Sequence, residues 1–279
     1  MLPIPDNGFH YQVPFEVYAQ WRLPNSGVFK RALASPLHAH AAFSGASKVE
    51  TTPRMEIGSC AHTAILEPEI CKQVKVYHGK VRRGKAWDEF QAQCGNSPVW
   101  TKNQLLTANA IAKAAHSHKL SAPLLKQLRF REVSIIGDVF GVRSKGRVDG
   151  LDDDLVLDLK TAESCDERQF ARTAYALGYH IQAAMYLQLS GRSRYLFLVV
   201  ESEPPFDVAV FEPEPDWLKD GEDKLHTGVL TWKTALEDSH WPGRYSERMT
   251  LKVPEWAKAK ADADKADQVT FGGELVYGN

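Results

Sequence analysis

Cysteine is scarce in this 279-residue chain and never clustered: Cys60, Cys71, Cys94 and Cys165 form no CxxC pair, so the spacing of a zinc site or an iron–sulfur cluster is missing. Free thiols in a reducing compartment are the simplest reading. Long apolar runs are absent as well, and no stretch reaches the roughly 18 residues that a membrane span needs. The start Met1-Leu2-Pro3-Ile4-Pro5-Asp6 lacks the basic-then-apolar order of a secretory leader. These absences predict a soluble, cytoplasmic protein with no membrane partner. Charge of one sign is also wanting, because 34 Lys and Arg stand against 35 Asp and Glu, for a net charge of −1. That balance gives no global attraction to nucleic acid, so any contact with a polyanion must come from local patches. No GxxxxGK(S/T) phosphate loop and no internal repeat occur, which excludes a built-in nucleotide-driven motor.

What is present is enough apolar material for one sizeable α/β domain, with 43% hydrophobic residues. Helical spacing dominates the first half, over 27–43, 58–66, 84–93 and 102–119. The period then changes to two, predicting strands over 130–140, 142–151 and 154–160, a long helix over 166–189, strands over 195–201 and 208–211, and a helix over 215–239. The centre thus reads α-β-β-β-α-β. The expected organisation is one domain over 1–256: a mainly helical part (1–128), a sheet with its following helix (129–212) and a carboxy-terminal helix and extension (213–256). An Ala-, Lys- and Asp-rich tail occupies 257–279.

Chemistry concentrates in the middle of that pattern. On the strand over 154–160, Asp158 and Lys160 project to one side while Leu157 and Leu159 point to the other. Asp149 lies on the preceding strand, and the run Asp152-Asp153-Asp154 makes a turn that folds it back beside Asp158. Two carboxylates a few ångström apart repel unless a cation lies between them, and Mg²⁺ is typically held by one or two carboxylates with waters and substrate phosphate. A lysine beside such an ion could orient or deprotonate the attacking water. This is the layout of a metal-dependent phosphodiesterase site, although the Asp158-Leu159-Lys160 triplet by itself is far more often the solvated pair of an ordinary hairpin. Local basic patches are Lys80, Arg82, Arg83 and Lys85, with Trp87 nearby, and Lys126 with Arg129 and Arg131.

The hairpin inside an α-β-β-β-α-β order resembles the PD-(D/E)XK nuclease superfamily, and three further segments narrow the likeness. Met55 to Glu69, with Gly58 and His62, is similar to the glycine-histidine helix of exonuclease VIII and related phage or prophage exonucleases. Tyr179-His180-Ile181-Gln182 through Tyr186 resembles the QxxxY motif of the RecB-like nucleases. Trp241-Pro242-Gly243 and Leu251 to Trp256 look like the carboxy-terminal end of the same exonuclease group. The likeness departs from the superfamily pattern at Val148, where proline is usual, and at Asp158, where glutamate is commoner.

The resemblance implies an α/β fold with a restriction-endonuclease-like core and a metal set of His62, Asp149, Asp158 and the backbone carbonyl of Leu159. Lys160 would position water, and Gln182 and Tyr186 would line the site. A nitrogen ligand suits Mn²⁺ better than Mg²⁺, and both ions stay open. Arg82, Arg83, Lys85, Arg147 and His180 are candidate DNA contacts; Glu132, beginning a strand, is either a site residue or solvent-facing. The implied activity is a 5′ to 3′ exodeoxyribonuclease on linear double-stranded DNA, leaving 3′ overhangs for a single-strand annealing protein. A ring-shaped homo-oligomer in a bacterial or phage-infected cell is implied with it. A RecB-like single-strand or repair and defence nuclease, and a DNA-end binder whose site has decayed, are the alternatives.

Overall fold

Most of the amino-terminal half is helical, as its periodicity requires. The computed structural model describes residues 3–47, 50–79, 82–95 and 97–260. It begins with β1 (Gly8–His10), α1 (Phe15–Gln20), α2 (Ser26–Ala32) and α3 (Pro36–Ser44). The single helix expected over 27–43 is therefore two. Pro36 has no amide hydrogen and holds Ser35 extended, and the Ser35 hydroxyl instead caps α3 by accepting from the His38 amide at 3.3 Å. Next, α4 (Pro53–Leu66) starts earlier than expected, because Thr52 caps it and Pro53 fills its first turn. There follow α5 (Pro68–Cys71), β2 (Lys75–Tyr77), α6 (Lys85–Cys94), β3 (Val99–Thr101), α7 (Lys102–Ser117) and α8 (Ser121–Gln127). β2 and β3 pair in parallel as a separate two-stranded sheet, which the sequence reading did not anticipate.

The expected meander then appears as β4 (Phe130–Val139), β5 (Val142–Leu151) and β6 (Leu155–Ala162). After it come α9 (Glu167–Ala176), α10 (Tyr179–Ser190), β7 (Arg194–Glu201), β8 (Val208–Phe211) and α11 (Pro215–Glu237). Here too one expected helix is two, since Gly178 takes a left-handed φ of 67° that ends α9 and starts α10. The sheet order is β1-β4-β5-β6-β7-β8. All neighbours are antiparallel except β6 and β7, which the α9–α10 crossover makes parallel. Among the described residues no helix is long and apolar enough to cross a membrane.

Both faces of the central strands are buried, which is why most positions of β6 and β7 are apolar. Leu155, Leu157, Leu159, Leu196 and Leu198 pack with Ala61 and Ile65 of α4 and Ile111 of α7. Val156, Phe197 and Val199 pack on the opposite face with Phe170 of α9 and Ala183 and Tyr186 of α10. The period of two therefore assigns Asp158 and Lys160 to the α9–α10 face. A third cluster joins Phe29 of α2, Met185 of α10 and Trp232 of α11, with Trp241 against it. The compact unit runs from Met1 to Arg244, and a second, smaller unit begins at Tyr245. The expected tail over 257–279 falls in that second unit, and its residues 261–279 lie outside the described ones.

One buried cation ties the amino-terminal segment to the sheet. Lys145 of β5 donates to the carbonyls of Tyr18 at 2.8 Å, Ala19 at 3.3 Å and Trp21 at 2.8 Å, so it satisfies the end of α1 where helical carbonyls lack partners. Its Nζ also lies 4.4 Å from the Tyr18 ring centroid, and burial pushes its pKa down to about 8. Lys145→Met should cost about 3 kcal/mol in urea unfolding, because buried carbonyls are left unpaired. The pH dependence follows from the lowered pKa: between about 8 and 10.5 the unfolded chain keeps a proton that the folded chain has released. Wild-type stability should therefore rise with pH across that window, and the rise should shrink in Lys145→Met.

Candidate active site

The site forms where β5 and β6 part. Their ladder holds at Gly150↔Leu157 and Leu151↔Val156, on either side of the turn at Asp152–Asp154, and then stops. Beyond it the Leu159 amide donates to the Asp149 carboxylate at 2.7 Å, so a side chain takes the place of a ladder carbonyl. Asp149 is thereby pinned beside the level of Asp158. Asp158 is 2% exposed, and the Lys160 ammonium lies 2.8 Å from its Oδ1 and 2.6 Å from its Oδ2. Lys160 also sits 4.6 Å from the centroid of the Tyr179 ring, at the start of α10.

α4 brings His62 to this gap. A side chain at Gly58, one turn earlier, would meet the Thr161 hydroxyl of β6 at 3.0 Å, so the glycine lets α4 approach the strand. The His62 Nδ1 lies 3.8 Å from the Asp149 Oδ2. Glu132 enters from the other side. It stands opposite Asp149 in the β4–β5 register, between Arg131↔Gly150 and Val133↔Val148, with a strained φ of 53°. Its Oε2 is 2.7 Å from the Arg147 Nε, and Arg147 donates further to the Val13 carbonyl at 2.7 Å and the Ser134 hydroxyl at 3.1 Å. Ligand atoms of His62, Glu132 and Asp149 all lie within 4.8 Å of one another. One imidazole nitrogen and two carboxylates are a donor set that fits a divalent ion such as Mn²⁺ or Mg²⁺.

Electrostatics separate the roles of these groups. Burial, and then the Asp158 charge, raise the Asp149 pKa well above the carboxylate range, against the lowering effect of Lys160 and the Leu159 amide. Burial and then Lys160 push His62 down to about 4, so its imidazole is neutral and offers a lone pair at physiological pH. On Lys160, Asp158 and Asp149 outweigh the cost of burial and hold the pKa above the ordinary lysine value. The side chain is an ammonium. A cleft of about 630 Å³ opens over His62, Lys160 and Tyr179, with Arg54, Gln169 and Arg172 on its walls.

The remaining sequence candidates divide into those that face this centre and those engaged elsewhere. Gln182 and Tyr186 share one face of α10, where Tyr186 is buried against the sheet and its hydroxyl is pushed up by burial. His180 is buried on another side of α10, stacked on Tyr175 at 4.4 Å and 3.3 Å from Asp220. A histidine so enclosed does not present itself to DNA. Arg82 is held by Glu56 at 3.2 Å and by Gln104, and Arg147 by Glu132, so both are counter-ions within the fold. Arg83 and Lys85 are exposed, whereas Lys80 lies outside the described residues. Arg129 is paired with Asp152 and Asp153. Glu132 is the residue that sequence reasoning left undecided. Its signal was positional: in a tight β4–β5 hairpin it falls opposite Asp149.

Comparison with known proteins speaks to the family and the fold. A family model described as a PDDEXK-like domain of unknown function (DUF3799) matches residues 26–251. A structure described as a putative exonuclease from Eubacterium rectale superposes with a TM-score of 0.57 at 13% identity, covering 90% of this chain and 99% of that one. LHK-Exo in complex with dAMP, an alkaline exonuclease from Laribacter hongkongensis, aligns with a TM-score of 0.37 at 11% identity, covering 79% of this chain and 93% of that one. Only the first superposes closely enough to speak to the fold. A comparison with curated proteins finds no match. One stability test follows from the Glu132–Arg147 pair, whose partners are both largely buried. Arg147→Met should lower unfolding free energy by about 3 kcal/mol, since it strands Glu132 without its counter-ion; a urea midpoint equal to wild type would remove Arg147 from the architecture of the site.

Proposed function

This chain belongs to the PDDEXK-like domain family, and from that premise we propose that it is a metal-dependent deoxyribonuclease. The observation that carries the reading is the Asp158–Lys160 pair, whose lysine lines a cleft together with His62, one of the three mutually close donors His62, Glu132 and Asp149. Those three side chains, with Asp158 and the Leu159 carbonyl adjoining, would hold Mg²⁺ or Mn²⁺. When bound, such an ion supplies Lewis-acid stabilisation of charge on the phosphoryl and leaving oxygens. The chain's own groups do the positioning. Lys160, as an ammonium, donates hydrogen bonds to a phosphoryl oxygen or to the attacking water rather than taking its proton. Asp158 keeps that ammonium charged and aimed. Gln182 and Tyr186 steady the face of α10 nearest the site. In-line attack of that water on phosphorus, with its proton released to solvent, would break the bond to the 3′ oxygen, which takes a proton from solvent, and would leave a 5′ phosphate.

The finer reading rests on the exonuclease VIII-like motifs. By it the substrate is linear double-stranded DNA, degraded 5′ to 3′ to give 3′ overhangs for a single-strand annealing protein, by a ring-shaped homo-oligomer in the cytoplasm. The test is digestion of end-labelled linear duplex with Mg²⁺ or Mn²⁺, beside circular, single-stranded and 5′-hydroxyl DNA. Wild type should release nucleotides from linear duplex only with metal, and Asp158→Ala and Lys160→Ala should each lose at least about a hundredfold in rate. No metal-dependent product from wild type sinks the nuclease reading; full activity in both variants sinks the site. Calorimetric titration with Mn²⁺ tests the donor set separately. Glu132→Gln should bind about tenfold more weakly than wild type, the scale of loss usual when one contributor to a metal site is removed.

A further inference from the structure

Lys30 of α2 is a cation that the mechanism leaves unused. Its stem runs across Gly178: a Cβ at that glycine would stand 3.2 Å from the Lys30 Cδ and 3.3 Å from its Cε. The left-handed glycine that breaks α9 from α10 thus also makes room for the lysine. The ammonium at the end of this stem reaches the Leu177 carbonyl at 3.2 Å and lies 5.7 Å from the centroid of the Tyr179 ring. Lys160 approaches the same ring at 4.6 Å. Two ammonium groups therefore share one tyrosine, and Leu177, Tyr179 and Lys160 all line the active-site cleft.

Their charges are not balanced alike. Lys160 is neutralised by Asp158, whereas Lys30 makes no ion pair with a carboxylate among the described residues. Arg31, next on the same helix, adds positive charge and turns back to the Gly27 carbonyl. Burial and then Lys160 push the Lys30 pKa down to about 8, against a smaller raising effect of the Asp158 carboxylate. The Lys30 ammonium reaches the cleft through the Leu177 carbonyl and the Tyr179 ring that line it, so an anion seated against those two residues would meet it. The anion that a nuclease cleft receives is phosphate.

We propose that Lys30 binds a backbone phosphate of the DNA substrate, acting with Lys160 as a two-cation seat on either edge of the Tyr179 side chain's reach. The proposal rests on the nuclease reading and adds to it a substrate contact from the amino-terminal helices, far in sequence from the catalytic hairpin. The competing account is structural: Lys30 simply caps the last carbonyl of α9, as basic side chains at helix ends do. The two accounts differ in what they do to DNA.

The test uses the full-length protein in chelator, with binding of fluorescent linear duplex followed by anisotropy over a salt series. Removing one phosphate contact should lower the slope of log K against log salt by about 0.9 in Lys30→Gln and weaken binding at low salt, while Lys30→Arg should restore most of both. The same proteins are then compared on duplexes carrying a 5′-hydroxyl end, or a neutral methylphosphonate at successive linkages. The difference between wild type and Lys30→Gln should vanish for one of these ligands: the hydroxyl end if the contact is the terminal phosphate, one linkage if it is internal. An unchanged salt slope with only a lowered melting temperature overturns the proposal in favour of the cap, and so does a wild-type advantage that persists on every modified duplex. Should wild type neither bind nor cleave linear duplex, the nuclease reading itself fails; should it cleave while Lys30→Gln keeps the wild-type slope, only the Lys30 contact fails.

Discussion

β5 and β6 are held together by the Gly150–Leu157 and Leu151–Val156 pairs, and past those pairs the strands separate. The amide that this separation frees at Leu159 is buried and must find an acceptor, and the Asp149 carboxylate supplies it. That single hydrogen bond brings an acid from one strand to the level of Asp158 and Lys160 on the next. It also leaves an opening through which α4, drawn close by Gly58, can present His62. Had the ladder run on, backbone pairing would have occupied the amide, and Asp149 would have had no reason to lie there.

Charge balance explains what the opening is for. Asp158 has Lys160 and Glu132 has Arg147, each at ion-pair distance. Asp149 has an amide and a neutral imidazole but, among the described residues, no lysine or arginine at ion-pair distance, and burial and the Asp158 charge raise its pKa. Lys30 has a carbonyl but, among the described residues, no carboxylate at ion-pair distance, and burial and Lys160 lower its pKa. In a partly dehydrated site, opposite unit charges a few ångström apart interact by several kcal/mol, so such residual charges are costly unless a ligand completes them. An acid lacking a cation suits a divalent metal, and a cation lacking an anion suits a phosphate. On the proposed reading, a phosphodiester with its metal would answer both deficits.

Much of this was legible in the chain. The alternation over Leu155 to Lys160 correctly put Asp158 and Lys160 on one side and Leu157 and Leu159 on the other, and the acidic turn at Asp152–Asp154 correctly returned Asp149 toward β6. Helix breaks were read less well, although Pro36 and Gly178 stood in plain view. Apolar periodicity carries across a break when both helices bury the same side, as α9 and α10 do against β7. β1, of three residues, is too short to show a period, and it exists because β4 offers it an open edge. The basic residues were the least legible. Arg82, Arg147 and His180 look like DNA contacts in a list of side chains, yet their partners, Glu56, Glu132 and Asp220, sit on other elements or other turns.

What the sequence determined by itself is everything that depends on neighbours along the chain: the faces of β6, the helix face shared by Gly58 and His62, the α-β-β-β-α-β order, and the nearness of Asp149 to the strand of Asp158 and Lys160. These are consequences of local geometry, in which a period of 2 or 3.6 converts spacing into direction. What only the tertiary structure decided is which charge meets which. Glu132 joins Asp149 through strand register, Lys30 reaches Tyr179 over Gly178 from a distant helix, and Arg147 is absorbed by the fold. Electrostatic energy falls with distance in space and is indifferent to separation along the chain, so the pairing of charges could not be read until the chain was folded.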